Sequence, residues 1–175
     1  MLIAFTGTQS TGKTTLLNKL REDKDFEGFT FIDEITRNVG KAGMKINENG
    51  TDATQIAIMN AHVANSYKDN AIMDRCALDG VVYTEWLYNE GKVTENTYKY
   101  AENIYRSLIN KYDYIFYLEP EFALVDDGVR SANIEFRDMI LELFRKRIAK
   151  DRVKVVQLTG SVEERVSQLK KAMEK

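Results

Sequence analysis

Cysteine, histidine, proline and tryptophan each occur once in the 175 residues of this chain. A single thiol, Cys76, excludes an internal disulfide and fits a reducing, cytoplasmic setting. One histidine and one cysteine also exclude the usual four-ligand zinc sets. No apolar run approaches the ~20 residues that cross a bilayer, so no membrane partner is expected. The N-terminal apolar stretch is too short for a secretory leader and runs directly into a glycine-containing loop. Charge of one sign is also missing: 25 Lys and Arg face 27 Asp and Glu, for a net charge of −2. That balance gives no global reason to expect a nucleic-acid partner. Repeats, linkers and low-complexity tracts are absent, and the length suits one domain, residues 1–175, with a substantial core.

What the chain does have is concentrated in Leu2-Ile-Ala-Phe-Thr-Gly-Thr-Gln-Ser-Thr-Gly-Lys-Thr-Thr-Leu16. An apolar strand precedes a tight loop, and a helix starts at Lys13. Gly7, Gly12, Lys13 and Thr14 satisfy G-x-x-x-x-G-K-[ST], the pattern that curls successive backbone N–H groups around phosphate oxygens. The positive end of the following helix points to the same place. The predicted cofactors are ATP, cradled by Gly7, Thr8, Gln9, Ser10, Thr11, Gly12, Lys13, Thr14 and Thr15, and Mg²⁺, reached by the Thr14 hydroxyl.

Further along, helical and extended patterns alternate. Strands are predicted over 29–33, 70–74, 112–118 and 153–158, and Asn38 to Gly50 reads as a mobile loop. Asp52 is expected to cap a helix with Ile56, Met59, Val63 and Tyr67 on its apolar face. Helices follow over 78–89, 94–111 and 134–149, and Ser161 with Glu164 forms a capping box for the last one. Strands alternating with helices imply an α/β fold, a five-stranded parallel doubly wound sheet with helices on both faces. A small lid is expected over approximately residues 120–137.

Ligands of such sheets bind beyond the carboxyl ends of the strands, which selects the candidate chemistry. Asp74 ends the third strand and is placed to hold Mg²⁺ through water, with Thr14. Glu34 follows the second strand, where it could orient an acceptor hydroxyl and take its proton; its plain alternative is an ion pair with Arg37. A mobile arginine over the transferred phosphoryl is expected from Arg130, with Arg137 as the second choice. Arg145, Lys146 and Arg147 read as solvated surface charge.

These residues carry a resemblance. Gly7 to Thr14, Glu34-x-x-Arg37 and above all Val125-Asp-Asp-Gly-Val-Arg-Ser131 before a charged helix resemble the ribosylnicotinamide kinase domain of NadR-type proteins, in the AAA ATPase class of P-loop NTPases. The resemblance implies an ATP-dependent kinase with a nucleoside-like acceptor, Lys13 and Thr14 on ATP·Mg²⁺, Glu34 by the acceptor and Arg130 in the lid. Asp74-Arg75-Cys76, then Asp79 and Tyr83, is instead similar to the Asp-Arg segment of thymidylate and deoxynucleoside kinases, which places Arg75, Asp79 and Tyr83 with Glu34 and Arg37 at the acceptor. Small phage-encoded kinases of hydroxymethyluracil in DNA are also similar. A hydroxyl acceptor, a monophosphate acceptor, a DNA acceptor disfavoured by the acidic charge, and a non-catalytic nucleotide switch therefore all stand open. So does the oligomeric state, a homodimer included.

Overall fold

β1 (Leu2–Thr6) is buried along its whole length, and the other elements are arranged about it. In the computed structural model, which describes residues 1–121 and 133–174, β1 is the middle strand of five, in the order β2-β3-β1-β4-β5. β2 (Thr30–Ile32), β3 (Ala71–Asp74), β4 (Tyr114–Tyr117) and β5 (Val156–Gln157) all run parallel to their neighbours. Phe5 lies opposite both Asp74 and Phe116, so the ends of β1 and β3 emerge side by side at one edge. This is the doubly wound parallel sheet expected from the pattern.

Alternate side chains of β1 feed two cores, as the twofold repeat of a strand requires. Ile3 and Phe5 pack with Leu16, Leu17 and Leu20 of α1 (Lys13–Arg21) and Leu169 of α7 (Val162–Met173). Leu2 and Ala4 face the larger core, which draws on α3 (Asp52–Asn65), α4 (Ala77–Asn89), α5 (Glu95–Leu108) and α6 (Ile134–Asp151). Continuous apolar strands are stable only when covered on both faces, and here they are.

Three expectations are corrected. Residues 38–50 are not simply a loop: α2 (Ile35–Lys41) follows β2 directly, and a short 3-10 turn spans Asn47–Asn49. Ile35 is the only buried residue of α2, so no apolar stripe announces it. In α3 the cap is Thr51, whose hydroxyl accepts from the Thr54 backbone, while the Asp52 carboxylate accepts from Thr94 at the start of α5. The buried face of α3 carries Thr54, Gln55, Ile58, Met59 and His62, whereas Ile56 and Tyr67 are exposed. That face is half polar because it lines a cavity, so hydrophobic spacing finds Met59 and Val63 but misses Thr54, Gln55 and His62 and wrongly includes Ile56 and Tyr67.

The third correction is Arg147, which is buried at 3% exposure rather than solvated. Its guanidinium bonds Glu85 of α4 and Glu102 of α5, lies 3.6 Å from Asp151, and donates to the Tyr98 hydroxyl at 3.3 Å. One cation thus joins three helices. Arg147→Ala is expected to destabilise the fold by about 2–3 kcal/mol, below the full cost of a stranded buried charge because the carboxylates keep some water contact. Chemical denaturation of the variant measures this. Arg145, in contrast, is exposed and pairs with Glu119 at 2.7 Å.

No helix among the described residues is long and apolar enough to cross a membrane.

Candidate active site

The loop between β1 and α1 closes because its glycines occupy positions closed to other residues. Gly7 has φ 133, and a Cβ there would stand 2.2 Å from the Leu118 carbonyl oxygen. Gly12 has φ 88 and is the N-cap of α1. Ser10, at φ 57, completes the turn in the left-handed region. Arg165 of α7 fastens the loop from behind, donating from Nη1 to the Thr11 carbonyl at 2.6 Å and from Nη2 to Glu121 at 3.0 Å.

Lys13 folds back over the loop. Its Nζ donates to the carbonyls of Gly7 and Thr8, at 2.9 and 2.5 Å, and to Thr11 Oγ1 at 3.1 Å. Burial, assisted by the Arg75 charge, pulls its pKa down to about 8. Two further polar groups of the loop are buried with no partner, Gln9 Nε2 and Ser10 Oγ. Buried polar groups in a native fold are hydrogen-bonded as a rule, so these two atoms are open to a polar ligand. Thr15 stands exposed at the start of α1.

Thr14 donates its hydroxyl to Asp74 Oδ2 at 2.6 Å, joining the loop to the end of β3. Asp74 is 2% exposed, and its other oxygen, Oδ1, is buried without a partner. Burial raises its pKa, opposed by Lys13, with Glu34 adding to the rise. Among the described residues no group of three or more His, Cys, Asp or Glu gathers for a metal. An orphaned carboxylate oxygen beside a threonine hydroxyl nevertheless fits Mg²⁺, which takes few protein ligands and is otherwise held by water and phosphate.

Next to Asp74, Arg75 adopts φ 82, a strained conformation for a bulky residue. Its guanidinium is buried and points inward. Nε donates to Glu34 at 2.7 Å, and Nη1 donates to Asp79 at 3.1 Å and to the Gly7 carbonyl at 3.2 Å. Glu34, the N-cap of α2, is 6% exposed, and Arg37 approaches its second oxygen at 3.4 Å. Asp79 accepts from Thr6 Oγ1 at 2.7 Å, from the Cys76 backbone at 3.0 Å and from Gly7 N at 3.4 Å. Asp79 therefore braces the base of the phosphate loop. Tyr83 lies under the Arg75 guanidinium, 5.3 Å from ring centre to Cζ, and donates to Gln9 Oε1 at 3.1 Å.

Glu34, Arg75, Asp79 and Tyr83 share a cavity of about 20 Å³ with Thr36, Asn47, Gln55, Ile58, His62 and Gly80. The volume holds about one water. A second opening, of about 150 Å³, lies on the other side of Glu34 and is bordered by Thr14, Asp33, Arg37, Asn38, Lys41 and Asp74. Lys13, Thr14, Glu34, Asp74 and Arg75 thus converge at the carboxyl edge of the sheet. Arg130 and most of the expected lid fall outside the described residues, while Arg137 sits in the first turn of α6, beside Asp138 at 3.5 Å.

A family model described as an AAA domain, AAA_28, matches residues 2–165. The chain belongs to this family. No curated protein matches the sequence. Among solved structures, the NadR protein in complex with NR is similar, at TM-score 0.70 and 22% identity over 91% of this chain. The chain spans 46% of that protein. A deoxyadenosine kinase from M. mycoides, with products dCMP and dCDP bound, is similar at TM-score 0.67 and 17% identity, covering 99% of this chain and 97% of its own. The YorR protein from Bacillus subtilis follows at TM-score 0.58 and 19% identity, covering 99% and 96%. The AAA_28 chain described here therefore has the P-loop NTPase fold, and its similarity reaches both groups to which its motifs pointed.

Sequence spacing did not single out Gln55, His62 or Arg165. Gln55 and His62 are seven residues apart, on one face of α3, a signal visible only once that face is known to be polar by design. Arg165 lies more than 150 residues from the loop it holds.

Proposed function

We propose that this chain is a kinase that transfers the γ-phosphoryl of ATP, with Mg²⁺, to a hydroxyl of a nucleoside-like acceptor. The observation that carries the reading is the Glu34–Arg75 pair: a carboxylate fixed at 2.7 Å by a buried arginine, between the phosphate loop and an enclosed cavity. Glu34 is placed to orient the attacking hydroxyl and receive its proton as the new P–O bond forms. Lys13 leaves its loop carbonyls for phosphate oxygens, and the N–H groups of the loop hold the rest. Thr14 and Asp74 would hold Mg²⁺, which when bound neutralises charge on the phosphates. The likeness to a deoxyadenosine kinase over nearly the full length of both chains supports the same reading.

A monophosphate acceptor would need a cation to clamp it. Arg75 is already bonded to two carboxylates and a carbonyl, which favours the hydroxyl. A DNA acceptor would need a basic groove beside Glu34. The opening there is bordered by Asp33, Glu34 and Asp74 against Arg37 and Lys41, three carboxylates to two cations.

The test is ADP release with nucleosides, nicotinamide riboside, nucleoside monophosphates and hydroxymethylated DNA as acceptors. Turnover with nucleosides supports the proposal; turnover confined to monophosphates or DNA replaces it. Asp74→Asn is expected to lower Mg²⁺-dependent turnover by about tenfold to a hundredfold, through loss of the charge facing the metal. A Mg²⁺ titration of the variant checks it: an unchanged requirement and rate would reduce Asp74 to a partner of Thr14.

A further inference from the structure

We infer that His62, at the inner wall of the cavity between α3 and α4, selects the acceptor's heterocycle, and that it selects an uncharged ring. The inference rests on the kinase reading for the identity of the acceptor, but not for the existence of a ligand. His62 is the one histidine of the chain and is 1% exposed. Its Nδ1 is buried and makes no hydrogen bond. Gln55 and Ile58 line the same cavity from the same helix face, and Gly80 and Tyr83 line it from α4.

Packing fixes the ring in place. A Cβ on Gly80 would stand 2.3 Å from Met59 Sδ and 3.4 Å from His62 Cδ2, so glycine is what lets α4 press against both side chains. Burial drives the His62 pKa down to about 4, with Asp79 opposing and Arg75 assisting. At neutral pH the imidazole therefore offers one N–H and one lone pair. The two nitrogens point away from each other, so one of them at a time can meet a donor or an acceptor of an uncharged nucleobase.

Other ligand classes find less in this cavity. An anion meets a neutral imidazole and an arginine already engaged by Glu34 and Asp79. A pyridinium ring would seek an aromatic face or an unpaired carboxylate. The Arg75 guanidinium already covers Tyr83, and both carboxylates of the cavity are paired with it. Entry of a base requires more than the present 20 Å³, and the outer wall is the part able to give. Thr36 and Asn47 belong to α2 and the 47–49 turn, which between them bury only Ile35. Segments with so little buried surface open at low cost.

The full chain labelled with 15N-histidine gives one imidazole, assigned without mutagenesis. It is titrated at neutral pH, without ATP, with deoxyadenosine, deoxycytidine, thymidine and, separately, nicotinamide riboside. At least one uncharged nucleoside is expected to move the ring nitrogens, while nicotinamide riboside and ATP alone leave them in place. In steady state with that nucleoside, His62→Phe should raise acceptor KM about tenfold with kcat nearly constant, and His62→Gln should restore part of the loss. Ring nitrogens that no nucleoside moves, or an unchanged KM in His62→Phe, overturn the inference. An equal response to nicotinamide riboside overturns the selection for an uncharged ring. Movement on nucleoside binding without ADP release from any acceptor would sustain His62 as the contact and remove the kinase reading instead.

Discussion

Lys13→Ala is expected to cut phosphoryl transfer by two to three orders of magnitude, about 3–4 kcal/mol of transition-state stabilisation, while leaving the fold intact. The ammonium group sits 5% exposed over the loop, bonded only to acceptors of that loop. Its lowered pKa, about 8, reports how poorly those acceptors replace water around a buried charge. A phosphate would be a far better partner, so the interaction is realised when nucleotide binds and grows as charge develops in transfer. Removing the amine relieves a buried cation and strands no carboxylate, so the thermal midpoint without nucleotide should stay close to that of the parent. The measurement is turnover with the best acceptor, beside thermal unfolding with and without ATP. Near-normal turnover would end the phosphate-loop reading.

Glu34→Gln is expected to lower turnover by roughly two orders of magnitude, with ATP affinity nearly unchanged. Glutamine keeps the shape and can still accept from Arg75 Nε, but it cannot take the proton of an acceptor hydroxyl. In a loose transition state that proton leaves late, so the base supplies orientation plus a modest proton-transfer contribution. A monophosphate is already an anion, and its transfer would hardly notice the change. Arg75→Ala is the control from the other side: with a monophosphate acceptor it should be the damaging change, appearing first in acceptor KM. A silent Glu34→Gln beside a crippling Arg75→Ala would hand the site to a monophosphate acceptor.

The phosphate loop was legible because its demands are local: Gly7 and Gly12 stand at positive φ, where a side chain is strained. The sheet was legible because strands buried on both faces must be apolar throughout, as Leu2 to Phe5 and Ala71 to Met73 are. Asp74 was equally visible, a carboxylate at the end of such a run. Non-local features were not. Arg147 sits in a run of charge on α6, and its burial depends on Glu85 and Glu102, 62 and 45 residues away. α2 has one buried residue and so no periodicity to read. A hydrophobic template reads the inner face of α3 only in part, because Met59 serves the core while Gln55, Ile58 and His62 line a cavity. Arg75 was placed by its motif, but neither its positive φ nor its bonds to Glu34 and Asp79 follow from spacing.

The central position of β1 has a consequence for how this chain comes to be folded. Its partners lie far along the sequence: Leu2 pairs with Ala71, and Ile3 pairs with Tyr114. Closing loops of that length is slow, because entropy is spent before any contact returns it. During synthesis the apolar strand is made well before either neighbour and has no native edge to join until both have followed. Exposed apolar strands of this kind are where nascent chains associate wrongly. The segment that carries the phosphate loop is thus also the one most dependent on the rest of the chain arriving in time.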